Sequence, residues 1–169
     1  MFAASSVRPG TYLKYEFMNW RRALERGAGL CLQHSIAAAG ILREQGIYAQ
    51  VVDLSGHVVI EAIVGLDDGE RWTLDPDFGV VVPLSIHEIE SAPKIVRPYY
   101  LAEGHDTSRV DRLIHVFGSE GNGLFTGYTS AKILIEKVAY CIKWVLPFVL
   151  LLPFPAARFK SAARSGGGV

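Results

Sequence analysis

Three residues could together carry covalent chemistry: Cys31, His57 and Asp75. A thiol is a nucleophile only as its thiolate. Cys31 follows Gly27, Ala28 and Gly29, small residues that would let a substrate approach, and it opens a run with helical character. The backbone N–H groups and the dipole at a helix start favour an anion, and so a thiolate. His57 follows Gly56 at the head of a strand-like run. Imidazole is the usual base for a thiol, and once protonated it can hand that proton to a leaving group. Asp75 closes the next strand-like run, where a carboxylate could fix the tautomer and orientation of the ring. Nucleophile, base and orienter thus come in the order Cys, His, Asp. Such a set forms a thioester from an amide or ester carbonyl and calls for no metal and no organic cofactor.

The stretches around these residues read Gly29-Leu30-Cys31, Gly46-Ile47-Tyr48-Ala49-Gln50-Val51-Val52, His57-Val58-Val59-Ile60-Glu61-Ala62 and Trp72-Thr73-Leu74-Asp75-Pro76. In this order they resemble the transglutaminase-like superfamily, relatives of the papain-type cysteine hydrolases. That family's pattern is a G-x-C at a helix start, a G-I-x-A-x-x-V stretch, a strand opening with histidine, and W-x-x-D-P. The resemblance implies a papain-like α+β core with Cys31, His57 and Asp75 as a catalytic triad. It also implies a protein or peptide substrate with a carboxamide group, hydrolysed or transamidated through a thioester on Cys31. Two features depart from the pattern. Val58-Val59 stand where Ala-Trp often follows the histidine, and only thirty residues precede Cys31. These departures support an alternative, a catalytically inactive transglutaminase-like module for membrane-tethered protein interaction.

Such residues need elements to hold them. Leu13, Phe17, Trp20 and Leu24 recur at helical spacing, and Gly27 and Gly29 end that helix. A second helix starts at Leu30 or Cys31 and runs to Gln45, before Gly46. Strand-like runs follow at 47–54, 57–64 and 70–74, the last two joined through Asp67-Asp68-Gly69. Ser85 with Glu88 reads as a capping box for a short helix ending at Pro93. Residues 106–117 read as another helix, with Val110, Leu113, Ile114 and Phe117 on one face. Two helices followed by consecutive strands predict α+β, with N-terminal helices packed on an antiparallel sheet.

The hairpin sets the orienter. A turn symmetric about Asp67 and Asp68 places His57 opposite position 78, beyond Asp75. An asymmetric tip, a bulge, or Asp77 as the orienter would resolve this, and the resemblance favours Asp75. Glu61 shares the strand face of His57, either as an exposed residue or as its support. The Cys31 backbone N–H is the first candidate for an oxyanion donor, with Asn19 and Gln33 as side-chain candidates. Trp20 and Trp72 read as core, and His87, Glu88 and Glu90 as a solvated helix face rather than metal ligands.

Composition bounds the rest. The 169 residues are 50% hydrophobic, with mean hydropathy +0.22, which excludes a disordered chain. Seventeen basic residues balance seventeen acidic ones, leaving no excess to neutralise nucleic-acid phosphates. Two cysteines make neither a disulfide scaffold nor a zinc ribbon, and Cys141 reads as apolar filling. No basic region followed by a long apolar run opens the chain, so no signal peptide is expected. The hydrophobicity gathers in residues 138–154, where Lys143 is the one charge. That run sits near the lower limit of about 17 residues for a bilayer span, holds Pro147 and Pro153, and precedes Arg158, Lys160 and Arg164. It would contact a membrane, cover the domain, or join copies. The expected layout is a transglutaminase-like domain at 11–117, a Gly-rich linker at 118–130, a hydrophobic C-terminal helix at 131–155, and a basic, Gly-rich tail at 156–169. The expected location is membrane-associated or cytoplasmic.

Overall fold

The computed structural model describes residues 17–27, 29–65 and 69–151. The helical positions before Phe17, the turn residues Asp67 and Asp68, and the basic tail lie outside the described residues.

Helix α1 spans Trp20–Arg26. It begins where the Asn19 side chain accepts the Arg21 N–H, and it ends at Gly27, whose φ of 63° suits glycine. Helix α2 spans Cys31–Glu44. The two helices meet closely at Gly40, where a Cβ would stand 2.1 Å from Cγ of Trp20. Trp20 is therefore a packing residue, as its spacing suggests.

The sheet is an antiparallel meander. Strands β1 (Ala49–Leu54), β2 (His57–Val64) and β3 (Glu70–Asp75) run consecutively. Two short strands close the edges: β4 (Val80–Val82) beside β3, and β5 (Gly123–Leu124) beside β1. The order is β4-β3-β2-β1-β5, and every pairing is antiparallel. This is the mixed α+β arrangement the element order predicts. The pair Gly123–Leu124 falls inside the stretch read as a linker, yet it bonds to β1.

Both faces of β2 are covered: its first six residues are all buried. On one face Val52, Leu54, Val59, Val80 and Val82 pack into a core with Tyr100, Val110 and Phe117. Those partners come from α4 (Arg97–Ala102) and α5 (Thr107–Phe117); α3 (Ile86–Ser91) and a 3-10 turn at Pro93–Val96 complete the layer. Ser85 and Glu88 form the expected capping box at the start of α3. Helix α2 packs on β1 and β2, where Ser35 Oγ donates to the Val58 carbonyl at 3.0 Å. The aliphatic side chains buried here contribute about 1.5–3 kcal/mol each.

The chain divides into two compact units at Tyr128 and Thr129. The second unit contains helix α6, Ser130–Leu151, with Pro147 inside it. Its large apolar side chains, from Leu134 to Leu150, are exposed. Among the described residues, no helix is long and apolar enough to cross a membrane.

Candidate active site

The site forms where the start of α2 meets the head of β2 and the end of β3. Cys31 is the first residue of α2, after Leu30, which has no side chain able to cap the helix. The first-turn N–H groups therefore have no side-chain acceptor there. His57 is the first residue of β2, after Ser55-Gly56; Gly56 takes a φ of 107° to make that tight turn. Asp75 ends β3.

Register explains why Asp75 can reach the ring. Ile60 stands opposite Leu74 and Val64 opposite Glu70, so extending the ladder would set His57 opposite Asp77, not position 78. That difference of one residue matters, because a one-residue slip turns every side chain to the other face. In the observed register His57, Glu61, Thr73 and Asp75 share one face. Asp75 is the diagonal neighbour of His57, within reach of long side chains.

The ring is tied to the carboxylate. His57 Nε2 donates to Asp75 Oδ2 at 2.8 Å. The Cys31 side chain lies near enough to the His57 ring to raise its pKa. With Nε2 engaged by Asp75, Nδ1 is the nitrogen left for the sulfur. His57 is 7% exposed and Asp75 1%, whereas Cys31 is half-buried. The Asp75 carboxylate is held on both oxygens. Oδ1 accepts the N–H groups of Asp77 at 3.2 Å and Phe78 at 3.3 Å. Oδ2 accepts the Tyr100 hydroxyl at 2.7 Å in addition to His57. Phe78 sets its ring against the edge of His57, with centroids 5.5 Å apart at 88°.

Burial alone would lower the His57 pKa. The hydrogen bonds and charges of Asp75 and Cys31 outweigh it and hold the imidazole up at about 10. The ring thus keeps its proton through the neutral range. Burial and the adjacent Asp75 charge push the Tyr100 hydroxyl well above the ordinary phenol value, so it remains a donor.

Several sequence expectations are placed differently. Asp77 is engaged elsewhere: its Oδ1 accepts His34 Nδ1 at 2.8 Å, and that bond depresses the carboxyl pKa and raises that of the imidazole. Glu61 neither stands exposed nor supports His57. It is buried, accepting Gln50 Nε2 at 2.7 Å, Arg71 at 2.8 Å and the Ile86 N–H at 3.2 Å. It therefore ties β1, β2 and β3 to the start of α3. Gln33 is no oxyanion donor, since its amide accepts the Phe17 N–H at 2.8 Å and donates to the Phe17 carbonyl at 3.0 Å. Asn19 spends its side-chain oxygen on capping α1.

Sequence reading missed Tyr100, Phe78 and His34. The first two sit in segments without a long period, and their role appears only through contacts with Asp75 and His57. An apolar cleft of about 100 Å³ opens beside His34, one helical turn beyond Cys31, with Ala23, Leu24, Ala38 and Pro76 among its walls. Compared with known proteins, the chain matches no family model, no curated protein and no solved structure.

Proposed function

We propose that this chain is a cysteine-dependent acyl-transfer enzyme with a papain-like, transglutaminase-type core, acting on an amide in a protein or peptide. The observation that carries the reading is the setting of His57, bonded to buried Asp75 and near enough to Cys31 for the sulfur to raise its pKa. The raised His57 pKa keeps the ring protonated, ready to pair with a Cys31 thiolate. The Cys31 thiolate attacks the carbonyl carbon, a C–S bond forms, and the oxygen takes the negative charge. The Cys31 backbone N–H, at the uncapped start of α2, would meet that oxygen. The oxyanion collapses, the C–N bond breaks, and the leaving amine takes the proton from His57. The product is a thioester on Cys31 and a neutral imidazole. Water then attacks the thioester while His57 accepts its proton, which releases a carboxylic acid and restores the pair. An amine in place of water would give transamidation. Hydrolysis is the default, because water is always present.

The test is to trap the acyl-enzyme in a Cys141→Ala chain. With a p-nitrophenyl ester, one equivalent of nitrophenolate should be released in a burst, and mass spectrometry should find one acyl group on Cys31. His57→Ala should abolish the burst. Acylation that is equal in the His57 variant, or absent altogether, contradicts the reading. One observation favours the inactive module instead: Gln33, considered as a side-chain oxyanion donor, has both ends of its amide bonded to the Phe17 backbone. A folded protein that forms no acyl-enzyme would select that alternative.

A further inference from the structure

The least expected surface of the molecule is α6. From Trp144 to Leu150 six of seven side chains are large and apolar, and each is at least half exposed; the seventh is Pro147. Seven consecutive helical residues pass around the axis nearly twice at 3.6 per turn, so this half of the helix is apolar on every side. A surface helix of a soluble domain shows one apolar stripe and one polar face; a helix apolar all round belongs in a core or a membrane. The other half differs. It sets exposed Lys132 and Lys137 among apolar side chains such as Leu134 and Ile135, with Glu136 buried, and Lys143 marks the junction. At that junction Lys143 Nζ lies 5.6 Å from the Tyr140 ring centroid and 5.4 Å from that of Trp144. Tyrosine, tryptophan and lysine at one level are the side chains that settle at the headgroup layer, apolar body inward and polar end outward.

We infer that α6 is a membrane anchor whose apolar end inserts into an anionic bilayer. It enters to a depth set by the Tyr140, Lys143 and Trp144 level. A second copy of the chain is the poorer occupant, because side-by-side pairing covers one stripe and leaves the opposite side chains in water. A bilayer surrounds all of them. Three lysines against one glutamate in the helix complement anionic headgroups.

The experiment is flotation of the full chain with vesicles of phosphatidylcholine alone, and with vesicles in which about a third is phosphatidylserine. The protein should float with the mixed vesicles and less with the neutral ones. Phe148→Asp with Leu150→Asp should cut flotation at least tenfold, and Lys143→Glu should weaken it mainly on the anionic vesicles. Circular dichroism and the thermal melt of each variant guard against unfolding. No flotation, or flotation indifferent to the double variant, overturns the anchor. A dimer in solution that the double variant turns into a monomer, without vesicle binding, assigns the surface to a second copy instead. The anchor does not depend on the chemistry proposed for Cys31, and neither result bears on the other.

Discussion

At the scale of single residues, Asp75 shows how a buried carboxylate is satisfied and aimed. It is 1% exposed, so water cannot satisfy it, and four donors from the protein do. Two are backbone amides that fix Oδ1, and Tyr100 and His57 share Oδ2. Tyr100 is a positioning residue in this arrangement, since it touches Asp75 and not the sulfur. Tyr100→Phe keeps the ring packing on Phe78 and Phe117 and removes the hydroxyl alone. Loss of a hydrogen bond to a buried charge should cost about 2 kcal/mol of stability, measured by urea unfolding. It should also narrow the pH range over which Cys31 is alkylated, because a less firmly held Asp75 supports the imidazolium less. A purely structural tyrosine would lower stability and leave that pH profile in place.

At the scale of elements, what was legible follows from local signals, and what was not depends on distance in sequence. Helix α2 has its breaker at Gly46, and β2 begins at His57 as its β-branched run predicts. The capping box at Ser85 needs only residues three apart, and the face of α5 needs only its 3.6 period. Cys31, His57 and Asp75 could be picked out because each sits at the end of such an element. Strand β4 is three residues and α4 six, too short for any period to show. Tyr100 lies 25 residues from Asp75, and His34 lies 43 from Asp77, so no local pattern links either pair. The register of β2 on β3 differs by one from that of a symmetric turn for the same reason. Symmetry about Asp67 and Asp68 is a guess about a turn, whereas packing on both faces of β2 decides which side chains point inward. That single residue puts Asp75, rather than a position on the opposite face, beside His57. Glu61 was misread because strand alternation gives its face but not the three donors that gather there from β1, β3 and α3.

At the scale of the whole molecule, the buried His57 couples protonation to folding. Its pKa rises from 6.5 to about 10 in the folded chain, so the folded state binds this proton more tightly than the unfolded one. The resulting stability is fully present below pH 6.5 and is lost as pH climbs toward 10. His34, held up by its bond to Asp77, acts in the same direction. The urea midpoint should therefore fall between those two pH values, and His57→Gln should flatten the fall. A wild-type midpoint that rises over this interval would contradict the assignment. Charge at large plays little part, since basic and acidic residues are equal in number. What distinguishes the two units is where apolar surface goes: into a core around Tyr100 and Phe117 in the first, and outward along α6 in the second.

The most direct test of the thiolate–imidazolium pair is the rate of Cys31 alkylation by iodoacetamide as a function of pH. It is measured in a Cys141→Ala chain, with and without His57→Ala. A free thiol loses reactivity as pH falls below about 8.5. Here the rate should hold a plateau well into the acid range, and His57→Ala should remove that plateau. A Cys31 that is unreactive, or that titrates like a free thiol whether or not His57 is present, would show that the relay of Cys31, His57 and Asp75 does not activate the sulfur.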